Sequence, residues 1–111
     1  MHEMGIVRNI VAIVSEHAAP QRVKRVRLEI GKLSAVMPAA IRFCFDLASA
    51  GTVLDGAELE IIEIPGRARC RSCGKELALA GLMLRCPCGS RELVKIAGEE
   101  LNIKEYELEA A

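Results

Sequence analysis

Cys70-Arg71-Ser72-Cys73-Gly74 and Cys86-Pro87-Cys88-Gly89 decide how this chain is read. The two pairs bracket twelve residues. Thiolates arranged in two short pairs can converge on one tetrahedral Zn²⁺, with sulfur about 2.3 Å from the metal. The glycine after each pair lets the backbone turn tightly, so amides of the turn are expected to point at the sulfurs. Leu77, Leu79, Leu82 and Leu84 lie between the pairs and suit a hairpin around Gly81. The second pair is Cys-x-Cys, one residue short of the usual Cys-x-x-Cys knuckle, so Cys86 is expected to be the least firmly held ligand. Cys70, Cys73, Cys86 and Cys88 together leave no coordination position for water. The segment contains no His to serve as a base, so the site reads as structural rather than catalytic. Redox-active thiols fit less well, because two pairs in Gly-rich loops do not resemble a single Cys-x-x-Cys at a helix start.

Outward from this segment the pattern changes. Pro65-Gly66 is a breaker pair just ahead of it. Before that pair, Ile6, Val7, Ile10, Val11, Ile13 and Val14 recur at spacings of three and four, which predicts a helix over 5–18 stopped by Pro20. Val26, Leu28 and Ile30 alternate with Arg27 and Glu29, as in a strand with one buried face, and Gly31 ends it. Pro38 suits a first helical turn; Ile41, Cys44, Phe45 and Ala48 follow at helical spacing, with Gly51 as the stop. Leu59 to Ile64 reads as a second strand whose alternation slips at Ile61-Ile62. Past Gly98, Leu101 to Leu108 reads as a third, with a slip between Ile103 and Tyr106. The expected class is α+β. Two helices lie on a three-stranded mixed sheet in a small α/β domain made of 1–65 and 98–111. A Cys₄ zinc-ribbon-like domain, 66–97, is inserted before the last strand.

A chain of 111 residues supports one small domain with an insertion, and its limited core makes a metal staple useful. Formal net charge is zero, and there is no Trp, one Tyr and two Phe. Phosphate neutralisation needs a surplus of Lys and Arg, and single-strand binding needs stacking aromatics, so the balance argues against nucleic acid. No secretion signal and no membrane-length apolar run is visible. Clustered cysteines in such a chain read as metal ligands in a reducing, cytoplasmic setting. The fifth cysteine, Cys44, shares a helical face with Ile41 and Phe45 and is expected to be a buried core thiol. His17 sits near a helix C-terminus, where the macrodipole favours it, and reads as structural.

The amino terminus is Met1-His2-Glu3. Initiator Met is removed before small residues, so Met1 is expected to stay in place ahead of His2. The α-amine of Met1, the His2 amide nitrogen and the His2 imidazole then close a five-membered and a six-membered chelate ring on one metal. The Glu3 amide or carboxylate is a reachable fourth donor. Such nitrogen-rich sites suit Ni²⁺ or Cu²⁺. Glu3 also has a plain role, as a carboxylate at a helix N-terminus.

Taken together, Met1-His2-Glu3, Val26-Arg-Leu-Glu-Ile-Gly31, Pro38 with Phe43 and Phe45, Gly56-Ala-Glu-Leu59, Cys70-x-x-Cys73, Cys86-Pro-Cys88-Gly-Ser90 and Glu100-Leu-x-Ile-Lys104 resemble the hydrogenase nickel-insertion accessory proteins of the HypA/HybF type. The resemblance spans nearly the whole chain. It implies a nickel-binding α/β domain with an inserted zinc domain, Ni²⁺ held through His2 with Glu3 supporting, and Zn²⁺ on Cys70, Cys73, Cys86 and Cys88. It implies a metallochaperone rather than an enzyme, a nickel-handling GTPase as partner, and a [NiFe] hydrogenase large-subunit precursor, a urease or both as client. A monomer or weak homodimer fits this role. The chain departs from the family in its shortened second pair and in having Gly74 and Gly89 where some members carry His. The competing class is a zinc-ribbon nucleic-acid-binding or regulatory module.

Overall fold

Alternation and helical spacing both become packing in the computed structural model, which describes residues 2–79 and 85–110. Helix α1 runs His2–Ala18, beginning at His2 rather than at Gly5. Its buried stripe is Val7, Ile10, Val11, Val14 and Ala18. Strand β1, Val23–Gly31, buries Val23, Val26, Leu28 and Ile30. Helix α2, Pro38–Ser49, has Pro38 in its first turn and buries Ile41, Cys44, Phe45 and Ser49. The two helices pack on each other. Strand β2 is Glu58–Ile64, and Ile61 and Ile62 are both half-buried at the slip in its alternation. Strand β6, Leu101–Leu108, completes a three-stranded sheet in the order β2-β1-β6.

Ion pairs on this sheet reveal its strand directions. Arg25 and Arg27 reach Glu58 and Glu60 in the same order along β2. They reach Glu107 and Glu105 in the reverse order along β6. Thus β1 runs parallel to β2 and antiparallel to β6, and the sheet is mixed. A parallel pair needs a crossover, and α2 supplies it. The hydrogen bond from Arg27 holds the Glu60 carboxyl below its ordinary range. These pairs are exposed enough that their contribution to stability is modest.

The chain forms two compact units. The first is Met1–Glu29, Val36–Ile62 and Asn102–Ala111; the second is Ile30–Ala35 with Glu63–Leu101. The second unit contains a sheet of its own, with β3 (Gly66–Cys70) between β4 (Glu76–Leu79) and β5 (Leu93–Ala97). Both neighbours are antiparallel to β3, with Arg69 opposite Glu76 on one side and Cys70 opposite Leu93 on the other. The described half of the expected hairpin, β4, pairs with β3. Gly81, Leu82 and Leu84 lie outside the described residues. Among the described residues the core at the cysteine end is Cys70, Leu77 and Cys86 with Leu93 against them. So little apolar surface gives weak hydrophobic stabilisation, and a cross-link is the usual remedy. Among the described residues no helix is long and apolar enough to cross a membrane.

One glycine has a steric reason to be there. The Gly31 N–H donates to the Glu100 carbonyl at 2.8 Å, and the Leu33 N–H donates to the Gly98 carbonyl at 2.7 Å. A Cβ on Gly31 would collide with the Gly98 carbonyl, which is backbone and cannot rotate away. Gly31→Ala is therefore expected to lower stability by about 2–4 kcal/mol. Chemical denaturation should show a lower midpoint at unchanged slope. An unshifted midpoint would mean that the two segments separate at no cost.

Candidate metal centre

Each cysteine pair sits on a turn that closes on itself. Cys70 ends β3, and its carbonyl accepts the Gly74 N–H at 2.8 Å while its own N–H reaches the Lys75 carbonyl at 2.9 Å. The second turn repeats the pattern: the Gly89 N–H donates to the Cys86 carbonyl at 2.8 Å, and the Cys86 N–H donates to the Ser90 carbonyl at 2.8 Å. Gly74 and Gly89 hold φ of 77° and 98°, the left-handed region. Their own amides bond carbonyls. The sulfurs are served by other amides. Cys73 and Ser72 donate to the Cys70 sulfur, and Cys88 donates to the Cys86 sulfur. The Ser72 and Ser90 hydroxyls meet at 2.9 Å and tie one turn to the other. Sequence reasoning did not single them out, although a serine beside each pair was the available signal.

The structure brings Cys70, Cys73, Cys86 and Cys88 together, with all four sulfurs within 4.8 Å of one another. Cys70 and Cys88 are 3.7 Å apart at sulfur, as are Cys73 and Cys86. A disulfide would need about 2.05 Å. A tetrahedron with sulfur at about 2.3 Å from its centre has edges of about 3.8 Å, so the spacing is that of four thiolates around one ion. The shortened second pair fits without displacement: Cys86 is 2% exposed and its sulfur is as close to a partner as any of the others.

Charge makes the same point. Amide donors, Cys73 first, lower the Cys70 thiol to about 6. At Cys86 the Cys88 amide pulls downward, but burial and the three neighbouring sulfurs outweigh it and push the thiol up to about 12. Four thiols this close resist full ionisation by themselves; a central cation removes the conflict. The donor set is all sulfur, which suits Zn²⁺ in a closed site.

The other expected site falls at the edge of what is described. Met1 lies outside the described residues, and so does the side chain of His2, whose backbone opens α1. Glu3 is half-buried in the first turn. It lines a cavity of about 310 Å³ with Met4, Ala40, Phe43 and Cys44. Cys44 is buried, as expected of a core thiol. The His17 Nδ1 lies 2.9 Å from the Ile13 carbonyl in the last turn of α1, a structural bond.

Compared with known proteins, residues 1–108 match the family described as hydrogenase/urease nickel incorporation, metallochaperone, hypA. The chain is 63% identical over 109 residues to the hydrogenase maturation factor HypA of Trichormus variabilis, covering 98% of this chain and 96% of that one. It is 47% identical over 110 residues to the factor of the same name from Geobacter metallireducens, covering 98% and 100%. The fold is similar to a solution structure of HypA protein, with a TM-score of 0.77 at 25% identity over 100% of this chain and 98% of that one. It also resembles the solution structure of the Ni metallochaperone HypA from Helicobacter pylori, with a TM-score of 0.70 at 23% identity over 98% of each chain, a likeness of fold alone.

Proposed function

The chain belongs to the HypA family of hydrogenase/urease nickel-incorporation metallochaperones, and from that premise we propose that it binds Ni²⁺ at its amino terminus and passes the ion to a [NiFe] hydrogenase large-subunit precursor. Membership makes it a maturation factor and carrier rather than an enzyme. The observation that carries the proposal is the family match from residue 1 to residue 108, which takes in the Met1-His2-Glu3 terminus.

The donors are the Met1 α-amine, the His2 amide and imidazole, and Glu3 as support. The start of α1 at His2 favours this chemistry. The first N–H groups of a helix have no acceptor within the helix, so the amides of His2 and Glu3 can lose their protons to water and bind a metal through nitrogen without breaking a helical bond. The positive end of the helix dipole opposes a bare cation but favours deprotonated amide nitrogen, so a ligand set that loses protons is the one suited to this position.

Zn²⁺ on Cys70, Cys73, Cys86 and Cys88 acts as the structural metal of residues 66–97, and nickel handling belongs to residues 1–65 and 98–111. Delivery requires partners: a nickel-handling GTPase and the hydrogenase precursor, with urease as an additional client. Clustered thiols suited to a metal fit work in a reducing, cytoplasmic setting. The test is complementation of a bacterium lacking its own HypA. The wild-type chain is expected to restore nickel to the hydrogenase large subunit and His2→Ala is not. Equal restoration by both would remove the amino-terminal site from the delivery route.

A further inference from the structure

The zero net charge of this chain is a sum of two opposite halves. Residues 66–97 contain seven Lys and Arg against two Glu, a net of +5, and the remainder balances it with −5. Some of that basic charge is already answered: Arg67 and Arg69 share Glu76, and Lys95 meets Glu99. Four cations are left, Arg71, Lys75, Arg85 and Arg91, all exposed. Each lies within three residues of a clustered cysteine: Arg71 inside the first pair and Lys75 after it, Arg85 before the second pair and Arg91 after it. Because the four sulfurs lie within 4.8 Å of one another, the turns bearing these side chains converge on one end of the module. Among the described residues none of the four pairs with a carboxylate.

A ring of cations around thiolates could serve only to balance the sulfurs. Four thiolates on one Zn²⁺ carry a charge of roughly −2, which leaves half of the ring unanswered. The side chains are also exposed, where they are screened from the buried sulfurs and open to an incoming group. We propose that this cationic ring is a docking surface for an acidic polypeptide segment of a partner protein. Guanidinium forks pair with carboxylates in two-point contacts, and a cluster of like charge speeds encounter with an acidic surface. Nucleic acid is the poorer fit. Residues 66–97 contain no aromatic side chain on which a base could stack, and among the described residues of that segment there is no helix whose N-terminus could hold a phosphate.

The experiment uses the full-length chain in the metal state in which it is isolated, without added nickel, so its result is separate from nickel binding. The probe is a fluorescein-labelled deca-glutamate peptide, followed by anisotropy at low and moderate salt. Wild type is expected to bind, with affinity falling as salt rises. R71Q/K75Q/R85Q/R91Q is expected to lose at least about tenfold, the size expected from four exposed ion pairs. The half-ring variants R71Q/R91Q and K75Q/R85Q are expected to fall in between, and R67Q/R69Q, whose charges already face Glu76, to change by less than about twofold. Zinc content should be unchanged throughout. Equal loss in R67Q/R69Q would reduce the effect to diffuse charge and overturn the proposal. So would tighter binding to a dT20 oligonucleotide than to the peptide, or salt-sensitive self-association in place of peptide binding. Loss of zinc from the ring variants with peptide affinity intact would assign the cations to the thiolates instead.

Discussion

His2→Ala abolishes tight nickel binding while zinc content and fold stay as they are: this is the largest effect expected at the amino terminus. The imidazole closes the six-membered ring of the proposed chelate, and no other His lies nearby, since His17 is engaged at the far end of α1. Acetylating the α-amine should do nearly as much, because it removes a donor, whereas a carboxy-terminal tag should be harmless. Glu3→Gln should weaken binding by a graded amount. Protons compete for these donors. The reference pKa is about 7.7–8.0 for an α-amine and about 6.5 for imidazole. Below the amine value each pH unit is expected to lower nickel affinity by about tenfold for the amine and by about a further tenfold for each amide that loses its proton, and by more once the imidazole protonates as well. Isothermal titration of the untagged variants decides it. Full-strength binding by the acetylated chain would rule out the amine, and full-strength binding by His2→Ala would remove the site.

Loss of one zinc thiolate should have the second large effect. Zinc should co-purify at about one per chain, because a structural site contributes on the order of 10 kcal/mol to folding. Among the described residues the core at the cysteine end, Cys70, Leu77 and Cys86 with Leu93, is too small to replace that contribution. Cys73→Ala and Cys88→Ala should therefore lose the metal and unfold the sheet β4-β3-β5, while the unit built on α1 and α2 keeps its own core and survives. Cys86→Ala should lose it as completely. The short Cys-x-Cys spacing argued for a milder effect, but the buried position of Cys86 and its 3.7 Å approach to Cys73 give it no lesser place in the cluster. Metal analysis with amide exchange over 66–97 measures both consequences. Unchanged zinc in these variants would contradict the Cys₄ assignment, and zinc retained by Cys86→Ala alone would restore the weaker role for that residue.

Periodicity in the chain was enough for α1, β1 and α2, because each has large apolar residues on one face: Val7, Ile10, Val11 and Val14 on α1, and Val26, Leu28 and Ile30 on β1; β2 and β6 were legible as apolar runs despite a slip in alternation. It did not reveal β3 or β5. The inward residues of β3 are Gly66, Ala68 and Cys70, between exposed Arg67 and Arg69. The period of two is present, but the buried side chains are too small to register as hydrophobic. In β5, Leu93-Val94-Lys95-Ile96-Ala97 lacks alternation altogether, and its strand character comes from pairing with β3 across a register slip.

What the sequence determined by itself was local: which segments have an apolar face, where glycine and proline interrupt them, and that four cysteines, a residue type able to ligate a metal, stand in two short pairs. Such properties follow from the order of side chains along one segment. Only the tertiary structure decided that the four sulfurs stand within 4.8 Å of one another, that the amides of Ser72, Cys73 and Cys88 are the ones that reach them, and that Cys86 is as well seated as its neighbours. It also decided that Gly31 must lack a Cβ because Gly98, far away in sequence, lies against it. These depend on distances between residues that the chain brings together only when it folds, and no local pattern encodes a distance of that kind.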